Sequence, residues 1–302
     1  MPTPSQRPAR SRSRTAANAT TSTTTAARAR VAAQPTTSTA KSKAKTRPEA
    51  KTSPVEPKAT PREILARLEA AIPEPRCELE HRSAWELLIA TILSAQSTDK
   101  MVNSVTPELF ARWPTPQALA DAPPEEVEKV VHRTGFFRSK TKAIQSASAM
   151  IADEFGGEVP RTMEEMLRLP GVARKTANVV LGTAYGIAEG VVVDTHAMRV
   201  SQRLGLTAQS DPSRIEDDLR AAFPRREWID LGHRLVLHGR YVCLARAPRC
   251  EICPLNELCP SAQLPPHDTW RMRARREREI VESRGAAAQP ADGLRAAKRS
   301  RT

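Results

Sequence analysis

Between residues 60 and 241 apolar side chains recur every three or four positions, the period of an amphipathic helix. The first predicted helix starts with Thr60 and Pro61, a capping residue followed by a first-turn proline, and one of its faces carries Ile64, Leu65, Leu68 and Ile72. Further helices are predicted over 83–96, 98–113, 124–133, 139–155, 163–167, 173–185, 195–204, 212–223 and 227–241. The helix over 83–96 is so apolar that it should cross the core, and Pro107 marks the point where helix 98–113 can break.

The sequence lacks the patterns that are typical of other fold classes. No segment alternates apolar and polar residues as a half-buried strand does, and the glycine-rich turns of dinucleotide and phosphate-binding loops are missing. The sequence therefore predicts an all-α fold, arranged as two helical lobes with a cleft between them.

Charge divides the chain into three parts. Its 302 residues carry a net charge of +13, distributed as +10 over residues 1–60, −2 over 61–264 and +5 over 265–302. Both basic ends are poor in large apolar residues, so 1–59 and 265–302 are expected to be disordered tails around a folded core, 60–264. We expect neither a secretory signal nor a membrane span, and the basic charge favours a nucleic-acid partner.

Four cysteines lie close together near the end of the predicted core. Their spacing is C-x6-C-x2-C-x5-C, formed by Cys243, Cys250, Cys253 and Cys259, whereas Cys77 stands alone. Four thiolates can hold a [4Fe–4S] cluster or a structural zinc, and disulfides are a third alternative. Zinc sites usually have two close cysteine pairs, and this segment has one, so the spacing favours the cluster.

A short turn over 169–176 connects two predicted helices. Gly171 permits a tight turn, and the backbone amides that follow it open a helix, where they can bind an anion such as phosphate. Lys175 lies about 200° around that helix from the core residue Ala177, so it should point away from the core. An isolated lysine at such a position is usually just solvated.

Two further candidates follow the apolar stretch 191–193. Asp194 precedes the helix that begins with Thr195, where an aspartate most often serves as an N-cap. His196 lies in the first turn of the same helix, where a histidine is more often packed than catalytic.

Together these motifs resemble one known family. The stretches 87–99 (LLIATILSAQSTD), 169–181 (LPGVARKTANVVL), 193–196 (VDTH) and 238–243 (HGRYVC) occur in the same order in endonuclease III, a family of helix-hairpin-helix DNA glycosylases with AP-lyase activity. The resemblance covers about 60–262 and neither tail. It implies base excision repair, with removal of oxidised pyrimidines from double-stranded DNA and cleavage 3′ to the abasic site.

The resemblance also assigns roles to individual residues. It implies that Lys175 is the nucleophile that forms a Schiff base, that Asp194 is its acidic partner, and that the four clustered cysteines hold a [4Fe–4S] cluster. The residues expected to contact DNA are Gln96, Phe136, Gly171, Ala173, Arg174, Arg246 and Arg249. A monomer in the cytoplasm, associated with the nucleoid, is the expected form.

Three alternatives remain open at this stage. A sister glycosylase specific for adenine or thymine mismatches has a similar core but usually lacks the lysine at position 175. A non-catalytic iron–sulfur DNA-binding protein would not need both Lys175 and Asp194, and a redox carrier would not need the hairpin. Ala173 stands where the family usually has glycine, which affects how closely a hairpin amide approaches the phosphate. Leu167 stands where relatives can carry a glutamate near the base pocket, which affects the base preference.

Overall fold

The computed structural model describes residues 58–285, and within that range the secondary structure is helical, with no β-strand. The expected tail 1–59 lies outside the described residues except for its last two positions, as do residues 286–302. None of the described helices is long and apolar enough to cross a membrane. The α-helices are α1 (Pro61–Ala71), α2 (Ala84–Leu93), α3 (Asp99–Arg112), α4 (Pro116–Ala120), α5 (Pro124–Val131), α6 (Phe137–Glu154), α7 (Met163–Met166), α8 (Arg174–Tyr185), α9 (Thr195–Arg203), α10 (Pro212–Ala222), α11 (Trp228–Tyr241) and α12 (Trp270–Gly285).

Two clusters of buried apolar side chains define two lobes, as predicted. The first lobe is built from α2 to α8, and the second from α1, α9, α10, α11 and the cysteine loop. Helix α2 crosses the first lobe with nine of its ten residues buried, because it is apolar on every face. Within residues 58–285, the chain thus begins with α1 in the second lobe, continues through the first lobe from α2 to α8, and returns to the second lobe at α9.

Most helix starts use ordinary capping chemistry. Thr60 and Glu63 form a reciprocal capping box at α1, and Ser83 and Thr98 accept backbone N–H groups at α2 and α3. Helix α4 was not predicted, although its signals, Thr115 as N-cap and a first-turn proline, are present in the sequence.

The possible break at Pro107 does not occur. Helix α3 runs unbroken from Asp99 to Arg112, with Val105, Thr106 and Leu109 buried on either side of the proline. Packing of these neighbours against the first lobe offsets the backbone hydrogen bond that a proline cannot donate.

The prediction of a disordered tail over 265–302 is wrong for residues 270–285. This segment forms α12, which packs against α1 and α11 through Ala274 and has a fully buried arginine, Arg273. The charged composition of this segment suggested disorder, but the helix buries charged side chains that pair with residues distant in the sequence.

Candidate active site and cysteine loop

A cavity opens between the two lobes, and both lobes line it. The first lobe contributes Thr91, Ser94, Asp99, Lys175, Val179 and Val192, and the second contributes Asp194, His233, Leu237 and Arg240. The structure therefore brings together Lys175 and Asp194, which are separated by a helix and a loop in the sequence.

Lys175 is the second residue of α8 and is exposed at the cavity wall. As the helical period predicted, Ala177, Val180 and Leu181 of the same helix are fully buried on its opposite side. The side-chain amine of Lys175 forms no hydrogen bond or ion pair with another residue of the range 58–285. Its amine is therefore accessible to a group that enters the cavity.

Asp194 is both an N-cap and part of the cavity. Its Oδ1 accepts hydrogen bonds from the backbone N–H groups of His196 and Ala197, each at 2.8 Å. Both bonds use the same oxygen, so Oδ2 is not needed for capping. The capping role expected from the sequence and the acidic role implied by the resemblance are thus compatible in one side chain.

Behind these two residues lies a network of charged groups that the sequence did not predict. Arg240 of α11 donates to Asp99 at 2.8 Å and to Glu78, and Tyr241 also donates to Glu78. The network joins the two lobes at the cavity floor. Asp99 and Arg240 each lie in a recognised motif, but nothing in the sequence indicates that they pair.

Burial and neighbouring charges both shift the pKa of Asp99. Burial is the largest influence and raises the pKa of Asp99; Lys175 lowers it, the Asp194 carboxylate raises it, and His196 lowers it. These couplings place Asp99 within electrostatic reach of Lys175 and Asp194.

The hairpin between α7 and α8 has the backbone that its sequence predicted. Gly171 has a φ of +77°, and a Cβ there would lie 2.9 Å from Cβ of Ala143, so the turn packs tightly against α6. Ala173 is the N-cap of α8 with an extended backbone, φ −100°, which suits alanine without strain. Arg174 pairs through two hydrogen bonds of 3.0 Å with the buried Glu216, so its guanidinium is already engaged within the protein.

Three residues other than glycine have a positive φ among the described residues, and all three lie in or beside segments expected to contact DNA. They are Gln96 (φ 54°), Phe136 (φ 48°) and Ala247 (φ 48°). Gln96 is exposed, and Phe136 is 67% exposed, which is unusual for a large apolar side chain. Such strained backbones are concentrated at functional sites. Next to Ala247, Arg246 and Arg249 are exposed, and their guanidinium groups pair with no residue of the range 58–285.

The four clustered cysteines surround a single pocket in the second lobe. Cys243, Cys250, Cys253 and Cys259 all line it and none forms a disulfide. Burial raises the pKa of the Cys259 thiol to about 11, and the three other thiols push it in the same direction. No three of the His, Cys, Asp and Glu side chains in 58–285 converge closely enough to share one metal ion. Four thiols spread around a pocket suit a multi-iron cluster better than a single zinc.

Polar groups next to this pocket hold the cysteine loop in place. Arg203 of α9 donates to Sγ of Cys243 at 3.2 Å and to the carbonyl of Leu244 at 2.7 Å. His238 of α11 is buried with its Nε2 3.7 Å from Sγ of Cys253. Cys77 lines the cavity between the lobes, away from this pocket.

Comparison with protein families agrees with this geometry. A model described as HhH-GPD superfamily base excision DNA repair protein matches residues 89–225, and a model described as iron-sulfur binding domain of endonuclease III matches residues 243–259. The second match begins at Cys243 and ends at Cys259, so it spans the segment that carries all four clustered cysteines.

Individual relatives are similar over nearly their whole length. Endonuclease III of Synechocystis sp. is 55% identical over 201 residues, 67% of this chain and 92% of that protein. Endonuclease III of Escherichia coli K12 is 41% identical over 202 residues, 67% of this chain and 95% of that protein. That of Bacillus subtilis is 44% identical over 192 residues, 63% of this chain and 87% of that protein.

Solved structures give the same result. A non-covalent endonuclease III–DNA complex matches with a TM-score of 0.64 and 43% identity, over 68% of this chain and 97% of that one. A trapped endonuclease III–DNA covalent intermediate matches with a TM-score of 0.63 and 43% identity over the same shares. A thermostable thymine-DNA glycosylase, at 20% identity and a TM-score of 0.61, shares the fold alone. This chain therefore belongs to the endonuclease III family of base excision repair enzymes, as a DNA glycosylase and AP lyase with an iron–sulfur cluster.

Proposed function

We propose that Lys175 is the nucleophile of this enzyme and that its substrate is an oxidised pyrimidine nucleotide in double-stranded DNA. The observation that carries the proposal is the cavity between the lobes, which holds an unpaired lysine amine and the Asp194 carboxylate together. A further support is that a 43% identical endonuclease III has been trapped as a covalent intermediate with DNA.

The reaction begins with the neutral amine of Lys175, since an ammonium has no free electron pair. The Nζ lone pair forms a bond to C1′ of the sugar while the bond from C1′ to the base breaks, and that electron pair leaves with the base, which takes up a proton. Opening of the sugar ring gives a Schiff base between Nζ and C1′. Loss of a proton from C2′ then expels the 3′ phosphate oxygen and cuts the strand.

Asp194 acts on the charge that develops during this reaction. As the base leaves, positive charge builds up at the sugar, and a fixed carboxylate next to it stabilises the transition state. The N-cap bonds to Oδ1 hold the side chain in one orientation and leave Oδ2 available toward the sugar.

The damaged nucleotide must leave the base stack to reach the cavity, which costs a few kcal/mol. We propose that Gln96 and Phe136 fill the gap it leaves, supported by their exposure and their strained backbones. Backbone amides around Gly171 and Ala173 bind a phosphate of the same strand.

We propose that Cys243, Cys250, Cys253 and Cys259 would hold the iron–sulfur cluster, which would cross-link the loop over 243–259 and so fix its surface. That surface presents Arg246 and Arg249, which we propose as phosphate contacts because both are exposed and unpaired among the described residues. Arg174 is a weaker candidate for DNA contact because Glu216 already binds it. Since one chain carries Lys175, Asp194 and the proposed DNA contacts, we propose that the enzyme acts as a monomer. We also propose that it acts in the cytoplasm, on nucleoid DNA.

Single-turnover strand cleavage on defined duplexes tests the substrate class. We expect cleavage of a duplex with an oxidised pyrimidine, and no cleavage of duplexes with an adenine or thymine mismatch. Lys175→Gln should abolish cleavage, whereas Lys129→Gln, on the exposed face of α5, should not. Cleavage of a mismatch duplex alone would show that the enzyme is a mismatch-specific glycosylase. The absence of any cleavage product would contradict the catalytic roles proposed for Lys175 and Asp194.

A further inference from the structure

Helix α12 has a buried face made of charged residues, and the glycosylase chemistry does not use it. The helix follows the last cysteine and contacts α1, α11 and the 3₁₀ turn at Cys250–Ile252. Arg273 and Glu277, one turn apart, have no exposed surface at all. Burying a charged side chain costs free energy unless it forms hydrogen bonds or ion pairs, so the partners of these two residues indicate what the helix does.

The partners of Glu277 lead to a cluster ligand. Oε1 of Glu277 lies 2.7 Å from Nδ1 of His238, and a carboxylate can only accept there, so Nδ1 donates. The other ring nitrogen, Nε2, lies 3.7 Å from Sγ of Cys253, within hydrogen-bonding distance for sulfur. Carboxylate, imidazole and sulfur therefore form one buried chain of contacts from α12 to Cys253.

The partners of Arg273 lead to the same cysteine. Its Nε donates to the backbone carbonyl of Cys253 at 2.8 Å, and its Nη2 donates to Oε1 of Glu257 at 2.5 Å. Arg67 of α1 donates to the other carboxylate oxygen of Glu257 at 2.5 Å and to the carbonyl of Pro254 at 2.8 Å. Two arginines from different helices thus hold the backbone on both sides of the bond between Cys253 and Pro254.

We propose that α12 is part of the cluster-binding site of this enzyme, with Glu277 and Arg273 as positioning residues for Cys253. Glu277 orients the His238 ring toward Sγ, and Arg273 fixes the backbone from which that sulfur projects. Groups that orient a metal ligand in this way typically change retention of the metal by about 10- to 100-fold when they are removed. The region matched by the iron–sulfur model ends at Cys259, so it does not include this helix.

The test uses the full-length, cluster-loaded protein with Glu277→Leu and Glu277→Gln. Leucine fills the space but cannot accept a hydrogen bond, whereas glutamine retains an acceptor oxygen. The rate of cluster loss is followed by the decay of its visible absorbance in air with an iron chelator. We expect Glu277→Leu to lose the cluster about tenfold faster than wild type or more, and Glu277→Gln to be closer to wild type.

Controls on the same helix separate this role from simple packing. Glu279 and Arg275 are exposed neighbours on α12, so Glu279→Leu and Arg275→Met should retain the cluster as wild type does, whereas Arg273→Met should lose it faster. Resonance Raman bands of the Fe–S(Cys) bonds should shift in Glu277→Leu and not in Glu279→Leu. The proposal is overturned if Glu277→Leu retains the cluster as well as Glu277→Gln does, or if the bands do not move.

Discussion

Single residues at this site combine a structural role in a helix with a position on the cavity wall. Asp194 caps α9 with one oxygen and faces the cavity, and Lys175 occupies the first turn of a helix whose other face is core. The sequence could predict the direction of Lys175, because the helical period is a local property. It could not predict that Asp99 pairs with Arg240, because such ion pairs form only after distant segments have packed together.

If Asp194 has the proposed catalytic role as well as its capping role, the two functions can be separated by substitution. Asparagine caps helices about as well as aspartate, so Asp194→Asn should retain the thermal stability of the wild type. Asp194→Ala should lose about 1 kcal/mol of stability with the cap. Both should slow single-turnover base excision by roughly 100-fold or more, because neither carries the carboxylate charge. Excision by Asp194→Asn at the wild-type rate would show that the charge is not used.

Cys77 should react slowly with alkylating reagents. Burial is the largest influence on its pKa and raises it to about 11; Asp99 adds to this, while a backbone hydrogen bond from Leu79 opposes it. Because only the thiolate reacts, alkylation at pH 8 should be roughly two orders of magnitude slower than for a free cysteine. The rate should rise about tenfold per pH unit up to pH 11. Mass spectrometry of the cluster-loaded protein measures this rate, and alkylation of Cys77 as fast as of a free thiol at pH 8 would be inconsistent with the raised pKa.

At the scale of elements, the helix-hairpin-helix motif was predictable and α12 was not. A glycine between a helix end and a helix start is a local signal, which the positive φ of Gly171 confirms. In α12 the buried face is carried by Arg273, Ala274 and Glu277, so a hydrophobic pattern cannot reveal it. The helix is stabilised by distant partners, the carbonyl of Cys253 and the ring of His238.

Two glycines, one in the hairpin and one at the end of α8, allow the cost of a left-handed backbone to be distinguished from the cost of steric crowding. Gly171 and Gly186 both have positive φ, but an added Cβ meets Ala143 at 2.9 Å only at Gly171, and meets nothing within 4 Å at Gly186. Gly186→Ala should therefore cost about 1–2 kcal/mol from the left-handed backbone alone, and Gly171→Ala should cost clearly more. Urea denaturation of the two variants checks this order, and equal costs would mean that the hairpin does not pack tightly against α6.

At the scale of the whole molecule, the net charge is distributed unevenly along the chain. Residues 61–264 carry −2, whereas the first 60 residues carry +10. We therefore expect recognition of damage to depend on a few side chains of the cavity and its rim, and the basic N-terminal segment to add attraction that is independent of sequence and damage.

This uneven charge distribution predicts that the DNA affinities of different variants depend differently on salt concentration. Deleting residues 1–57 should weaken binding to undamaged DNA and reduce its salt dependence, while leaving single-turnover cleavage of a saturating abasic duplex unchanged. Arg246→Gln with Arg249→Gln should lower the slope of log affinity against log salt by about two, one for each phosphate contact. Fluorescence anisotropy at several salt concentrations measures both slopes. If the deletion leaves the slope of log affinity against log salt unchanged, the N-terminal segment has no role in DNA binding.

The central claim is that Lys175 attacks C1′, and trapping of the Schiff base tests it most directly. Full-length, cluster-loaded enzyme is mixed with a duplex that carries an abasic site and is reduced with borohydride, and the modified peptide is mapped by mass spectrometry. The account predicts a covalent adduct on Lys175 and no adduct with folded Lys175→Ala. An adduct mapped to another residue, or trapping by Lys175→Ala at the wild-type rate, would contradict it.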